Sequence, residues 1–100
     1  MINMNDENIT IFHLLAQYIP VKYRVKFLKE LLEIHGSIYK LSKKTKISRP
    51  TIYRYLYSDH YPNDSIMAKI LEELVEVKRS WTKEELRKLA KDFNELINKL

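Results

Sequence analysis

Basic and aromatic side chains are concentrated in one short segment of the 100-residue chain, residues 37–58. The segment holds four lysines, two arginines and four tyrosines, and it contains no acidic residue. The whole chain has a formal net charge of +5, so this one segment carries the entire excess. Positive charge gathered in this way, with aromatic rings between the charges, is typical of a surface that binds a polyanion. An ordinary solvated helix face is the alternative interpretation.

Groups suited to catalysis or metal binding are scattered along the chain. There is no cysteine, which excludes a disulfide scaffold and a thiolate metal site. His13, His35 and His60 fall in separate predicted elements without the spacing of metal ligands. The sequence also has no glycine-rich phosphate loop and no Ser/His/Asp arrangement. We therefore expect a protein that is not an enzyme and that uses no cofactor or metal.

The hydropathy of the chain bears on its location. No apolar run approaches the roughly 18 residues of a membrane span, and no signal peptide opens the sequence. Together with the absence of cysteine, this leads us to expect a cytoplasmic protein without a membrane partner.

The pattern of apolar residues predicts an all-α fold of five to six helices. One glycine, three prolines and no clean period-two alternation leave little room for a sheet. The expected organisation is an N-terminal helix in residues 1–20, a core in 21–78 and a C-terminal amphipathic helix in 80–100. The individual helices are predicted at residues 6–19, 21–35, 38–45, 49–58, 65–78 and 83–100.

Capping residues mark several of these boundaries. Asp6 is the predicted N-cap of the first helix, and Gly36 is the predicted end of the second. Ser37 and Ser48 are the predicted N-caps of the third and fourth helices. Thr82 with Glu85 has the spacing of a capping box for the last helix. Arg24 falls inside the apolar arc of the second helix, and we expect its stem to lie flat while its charged head reaches solvent.

Residues 37–56, SIYKLSKKTKISRPTIYRYL, have the spacing of two short helices packed over a shared core. The segment resembles the helix-turn-helix of DNA-binding regulators over all twenty positions, and ISRPTIYRYL is similar to the family's second, recognition helix. Lys46 stands where most of the family has glycine. A turn of the family's shape would give Lys46 a positive φ at a cost of about 1 kcal/mol, and a longer or looser turn is the alternative. The predicted inward-facing residues are Leu41, Thr45, Ile47, Ile52 and Leu56.

This resemblance implies a sequence-specific protein that binds double-stranded DNA, a transcriptional regulator, with residues 49–58 in the major groove. Arginine can bind guanine O6 and N7 together, and a proline ring can touch a thymine methyl group. The expected base-reading residues are Arg49, Pro50, Tyr53 and Arg54, while Tyr55 is expected to pack partly inward. The expected phosphate-binding residues are Ser37, Tyr39, Lys40, Lys43, Lys44, Lys46, Ser48 and Tyr57.

A wider likeness covers roughly residues 21–78. It extends to lambda-repressor-like domains and to the helix-turn-helix segments of archaeal recombinases and CRISPR-repeat-binding proteins. An accessory role in recombination, plasmid maintenance or CRISPR-repeat binding therefore stays open. The rival from another class is a protein–protein adaptor that uses the helix-turn-helix as a scaffold, although an adaptor has no need to confine its charge excess to residues 37–58. An RNA-binding role is less favoured because the aromatics lie on a helix and not on a sheet.

The last predicted helix carries a narrow apolar stripe whose members repeat at three and four residues. Regulators of this size usually pair to read two half-sites. We therefore expect a homodimer joined through the terminal helices, with recognition helices about 34 Å apart. The alternative is a stripe that folds back onto its own domain. The predicted dimerisation residues are Leu86, Leu89, Phe93, Leu96, Ile97 and Leu100.

Overall fold

The computed structural model describes residues 10–100, and within this range it contains five α-helices and no strand. The prediction of an all-α fold is confirmed. None of these described helices combines the length and the apolarity that crossing a bilayer requires. The helices are α1 (Ile11–Ala16), α2 (Val21–His35), α3 (Ile38–Thr45), α4 (Arg49–Tyr57) and α5 (Asp64–Asn98).

Local capping sets the boundaries of α2, α3 and α4 as predicted. Gly36 ends α2 with a φ of 85°, a left-handed conformation that glycine adopts without steric cost. Ser37 caps α3 because its side chain accepts a hydrogen bond from the Lys40 amide, and Ser48 caps α4 in the same way from the Thr51 amide.

The first helix is shorter than predicted. α1 spans six residues, and Thr10 is its N-cap. The Thr10 amide donates to Nδ1 of His13 at 3.3 Å, which completes a reciprocal capping box. The predicted cap, Asp6, lies outside the described residues. The chain leaves helical geometry before Pro20, which forms the N-cap of α2.

The two predicted C-terminal helices are joined end to end in α5, and they meet in a bend at Lys78, which has φ −152° and ψ 56°. This bend lies at the predicted end of the first of the two helices. The predicted capping box of Thr82 and Glu85 is wrong. The Thr82 hydroxyl donates to the Lys78 carbonyl at 2.9 Å inside the helix. The Glu85 carboxylate instead faces Lys26 and Lys88, whose hydrogen bonds lower the pKa of Glu85 below its ordinary value. Contacts with α2 therefore decide the role of Glu85.

Side chains beside this bend attach α5 to α2. The Lys78 ammonium pairs with Glu30 of α2 and lies 5.5 Å from the centre of the Trp81 ring. Trp81 in turn meets Phe27 edge to face, with ring centres 5.7 Å apart. The first turns of α5 beyond the bend thereby pack against the core.

One hydrophobic core joins all five helices, since α5 contacts α1, α2 and α3 while α4 packs on α2 and α3. Of the apolar residues in and after α1, Ile19 is buried, whereas Ile11 and Tyr18 are exposed. The core consists of Ala16, Ile19, Phe27, Leu28, Leu31, Leu41, Ile47, Ile52, Met67, Ile70, Leu71 and Leu74.

Arg24 is buried, contrary to the prediction that its head reaches solvent. Only 5% of the residue is exposed. Its guanidinium donates to the carbonyls of Ile19, Pro62 and Ala16 at 3.0, 2.9 and 2.9 Å, and it pairs with the Asp64 carboxylate at 2.9 Å. These acceptors come from two turns distant in sequence, so a helical wheel of α2 could not reveal them. Arg24 connects the α1–α2 turn to the loop that follows α4.

Candidate nucleic-acid interface

A tight turn from Lys46 to Ser48 joins α3 to α4. Lys46 has φ 65° and ψ 17°, so the chain adopts the positive φ that the family-like turn requires and not a looser connection. Two hydrogen bonds hold the turn: the Ile47 amide donates to the Thr45 hydroxyl at 3.3 Å, and the Ser42 hydroxyl donates to the Ile47 carbonyl at 2.6 Å. These bonds offset the cost of a left-handed lysine, about 1 kcal/mol.

The inward-facing side of this helix pair is the predicted one. Leu41, Thr45, Ile47 and Ile52 are buried, and Leu56 packs partly against the core. Because these positions fix the rotation of α3 and α4, the side chains on the opposite side of each helix face solvent, among them Lys40, Lys43, Tyr53 and Arg54.

A chain of hydrogen bonds orders the first turns of α4. The hydroxyl oxygens of Ser48 and Thr51 lie 2.7 Å apart, and Nη2 of Arg54 donates to the Thr51 hydroxyl at 3.2 Å. Pro50 lies in the first turn, where the missing amide hydrogen costs nothing. The Arg54 guanidinium is thus drawn toward the N-terminal end of α4. No role of Thr51 is predicted from the sequence. The signal was present, because Thr51 follows the N-cap Ser48 by three residues, which is the spacing of a capping interaction.

Tyr39 connects the outer surfaces of α3 and α4. Its ring centre lies 5.5 Å from the Lys43 ammonium and 5.6 Å from the guanidinium carbon of Arg49. Both distances are within the range of cation–π attraction. The basic residues of the two helices therefore form one continuous surface and not two separate patches.

The three tyrosines of α4 divide between two environments. Tyr53 and Tyr57 are exposed, with ring centres 5.8 Å apart. Tyr55 is half-buried, as predicted. Burial raises the pKa of the Tyr55 hydroxyl, against a smaller opposing effect of the Arg54 charge. The outer face of α4 therefore presents two rings beside its arginines.

The structure leaves the predicted contact residues accessible. All four proposed base-reading residues are exposed, and so are all the proposed phosphate-binding residues except Ser37, which is half-buried. The Ser37 hydroxyl oxygen accepts the Lys40 amide at 3.1 Å, so its first role is to cap α3. The six basic side chains of residues 37–58 form no ion pair with any acid among residues 10–100. Their charge is therefore not neutralised within the described structure.

The predicted dimerisation residues separate into two groups. Leu86 and Leu89 pack partly on the core of their own chain. The stripe therefore folds back in its first half only. The members exposed to solvent are Phe93, Leu96, Ile97 and Leu100, with exposed fractions of 66%, 62%, 48% and 106%.

Comparison with known proteins assigns the chain to no family. The chain matches no protein-family model, no curated protein sequence and no solved structure. Across residues 10–100, no group of three or more histidine or acidic side chains is placed to hold a metal ion. The chemistry that the described site offers is therefore that of exposed cations, hydroxyls and aromatic rings on α3 and α4.

Proposed function

We propose that the protein binds double-stranded DNA in a sequence-specific manner and regulates transcription, with α4 in the major groove. The observation that carries the proposal is the continuous basic surface of α3 and α4, which has no acidic residue of its own and no ion pair with residues 10–100. Its inner side is fixed by the core, so its outer side can dock as a rigid unit. The proposal includes the cytoplasmic location expected from the sequence.

The two helices would divide the work of recognition. The lysines of α3 and the turn would neutralise phosphates, which supplies affinity without sequence information. Arg49 and Arg54 would reach base edges, because guanidinium groups bind guanine O6 and N7 in pairs. The hydrogen bond from Arg54 to Thr51 holds that guanidinium near the helix end that enters the groove. Tyr53 and Tyr57 would contact the sugar–phosphate backbone.

The proposal also includes a homodimer. One recognition helix contacts only a few base pairs, and a two-fold pair reads two half-sites one helical turn apart. The exposed end of the α5 stripe gives this part of the proposal its structural support.

A protein–protein adaptor is the second candidate, and the exposed apolar residues of α5 favour it. The basic surface separates the two candidates, because an adaptor does not need six cations on residues 37–58. An accessory factor in recombination, plasmid maintenance or repeat binding would use the same DNA-binding surface.

Salt dependence tests the proposal. If Lys40, Lys43, Lys44 and Lys46 meet phosphates in both subunits, about eight counterions are released, and log K should fall with log salt at a slope near −7. Fluorescence polarisation with a labelled random duplex, repeated at several salt concentrations, measures the slope. A flat response would contradict DNA binding through this surface and favour the adaptor.

Base reading is tested at Arg54. After in-vitro selection of a preferred duplex, Arg54→Ala should weaken binding to that duplex by about 1–3 kcal/mol and relax preference at one base pair. Binding to random duplex should change much less. Arg87→Ala, which removes an exposed arginine from α5, is the matched control and should leave specificity intact. An equal loss on both duplexes would make Arg54 a phosphate contact.

A further inference from the structure

An open apolar groove lies between the α1–α2 turn and the C-terminal half of α5. Its volume is 930 Å³. One wall comes from the turn and the start of α2, and the other from the part of α5 that follows the bend. The apolar residues that line the groove include Tyr18, Val21, Tyr23, Leu86, Leu89 and Phe93.

Exposed apolar side chains continue from the groove to the end of α5. Leu96 lines the groove, and Ile97 and Leu100 lie beyond it. We call Phe93, Leu96, Ile97 and Leu100 the α5 ridge. Phe93 and Leu96 belong both to the ridge and to the groove wall, so the ridge and the groove form one continuous surface. Neither includes a residue of the basic segment 37–58.

The size of this surface points to an interface. Tyr18, Val21 and Tyr23 are exposed by 80%, 50% and 41%. A whole aromatic side chain offers about 150–250 Å², so the exposed fractions of Tyr18, Tyr23 and Phe93 alone leave on the order of 300–450 Å² uncovered. The exposed parts of Val21, Leu96, Ile97 and Leu100 add to this area. The combined surface is of the size that each partner contributes to a standard protein interface, roughly 800 Å², and it exceeds the largest apolar patch of a typical monomer, about 300–600 Å².

We infer that the occupant of the groove is the α5 ridge of a second copy of this chain. A two-fold axis presents the same surface twice, so a ridge next to a groove is self-complementary: each ridge enters the other copy's groove. Phe93 and Leu100 are seven residues apart, the repeat with which paired helices pack. The inference rests on the proposed function, because that function calls for two copies of the chain. The contact leaves α3 and α4 of both copies uncovered.

Light scattering and sedimentation of the full chain without DNA test the interface. We expect a dimer for the wild type. Phe93→Asp on the ridge and Val21→Asp on the groove should each raise the dimer dissociation constant at least about 100-fold, because each buries a charge in an apolar contact. Val21 is the first residue of α2, where an acid suits the helix dipole, so folding should be retained.

Asn94→Asp is the matched control. It adds the same charge next to Phe93, at an exposed position that does not line the groove, and should leave the dimer intact. Circular dichroism should show unchanged helix content in all three variants. A wild type that stays monomeric would overturn the inference, whether residues 1–9 of the same chain or another protein then fills the groove. A dimer that survives both Phe93→Asp and Val21→Asp would overturn it too.

These outcomes are separable from those of DNA binding. A monomer whose affinity for duplex DNA still falls with salt would leave DNA binding through α3 and α4 standing, and it would refute both the interface and the homodimer. A dimer that dissociates in both variants but never binds DNA would support the interface and refute the proposed DNA binding.

Discussion

Replacing Lys40, Lys43, Lys44 and Lys46 together with glutamine should lower the affinity for every duplex about a thousandfold near physiological salt. All four side chains are exposed on α3 and the following turn, and none is paired with an acid within residues 10–100. Each lost phosphate contact removes the release of about one counterion. Polarisation titrations should therefore show a shallower salt slope together with the weaker binding, equally for preferred and random sequences.

The control for this experiment removes the same charge elsewhere. Lys22, Lys29, Lys83 and Lys91 are exposed and lie outside the basic segment. Their joint replacement with glutamine should change affinity by far less than the first variant, since long-range effects of net charge are screened beyond about 8–10 Å. Equal losses in the two variants would mean that total charge, and not the α3–α4 surface, governs binding.

Replacing Arg24 with methionine should lower the free energy of unfolding by about 3 kcal/mol or more. Methionine keeps the apolar stem but leaves the carbonyls of Ile19 and Pro62 without the side-chain donor that now satisfies them. The Ala16 carbonyl also loses its bond to Arg24 but keeps a hydrogen bond from the Ile19 amide. Asp64 also loses its partner, although its half-exposed side chain can be solvated. Urea denaturation followed by circular dichroism measures the loss as a lower midpoint at constant slope.

Two further variants make this result specific. Arg24→Lys keeps the charge but lacks the planar guanidinium fork, so it should recover only part of the lost stability. Arg79→Met removes an exposed arginine next to the bend of α5 and should change stability by less than about 0.5 kcal/mol. A loss below about 1 kcal/mol for Arg24→Met would show that water or other donors satisfy the carbonyls that lose Arg24.

The consequence of Arg24 for the proposed function is indirect. Its bond to Pro62 holds the loop that leaves α4, while its bonds to Ala16 and Ile19 hold the turn beside the apolar groove. One buried guanidinium therefore supports both surfaces. Destabilisation at Arg24 should weaken DNA binding only as far as it unfolds the chain.

Helix limits that depend on neighbours three or four residues away could be predicted from the sequence. Gly36 ends α2, and Ser37 and Ser48 begin α3 and α4, because a cap satisfies backbone groups of the adjacent turn. The inward positions of α3 and α4 followed from helical periodicity, and the exposure of Arg49 and Arg54 followed from the same spacing. The positive charge of residues 37–58 could likewise be counted from the sequence.

Features that join residues of different elements follow only from the way the helices pack. The acceptors of Arg24 lie 5, 8 and 38 residues away from it, and Glu85 faces Lys26 across two helices instead of capping its own. The contact of Tyr39 with Arg49 needed the path of the turn between them. The apolar stripe of α5 is partly buried up to Leu89 and exposed from Phe93 onward, because the helix extends beyond the core on which it packs. The periodicity within α5 could not indicate where this contact ends.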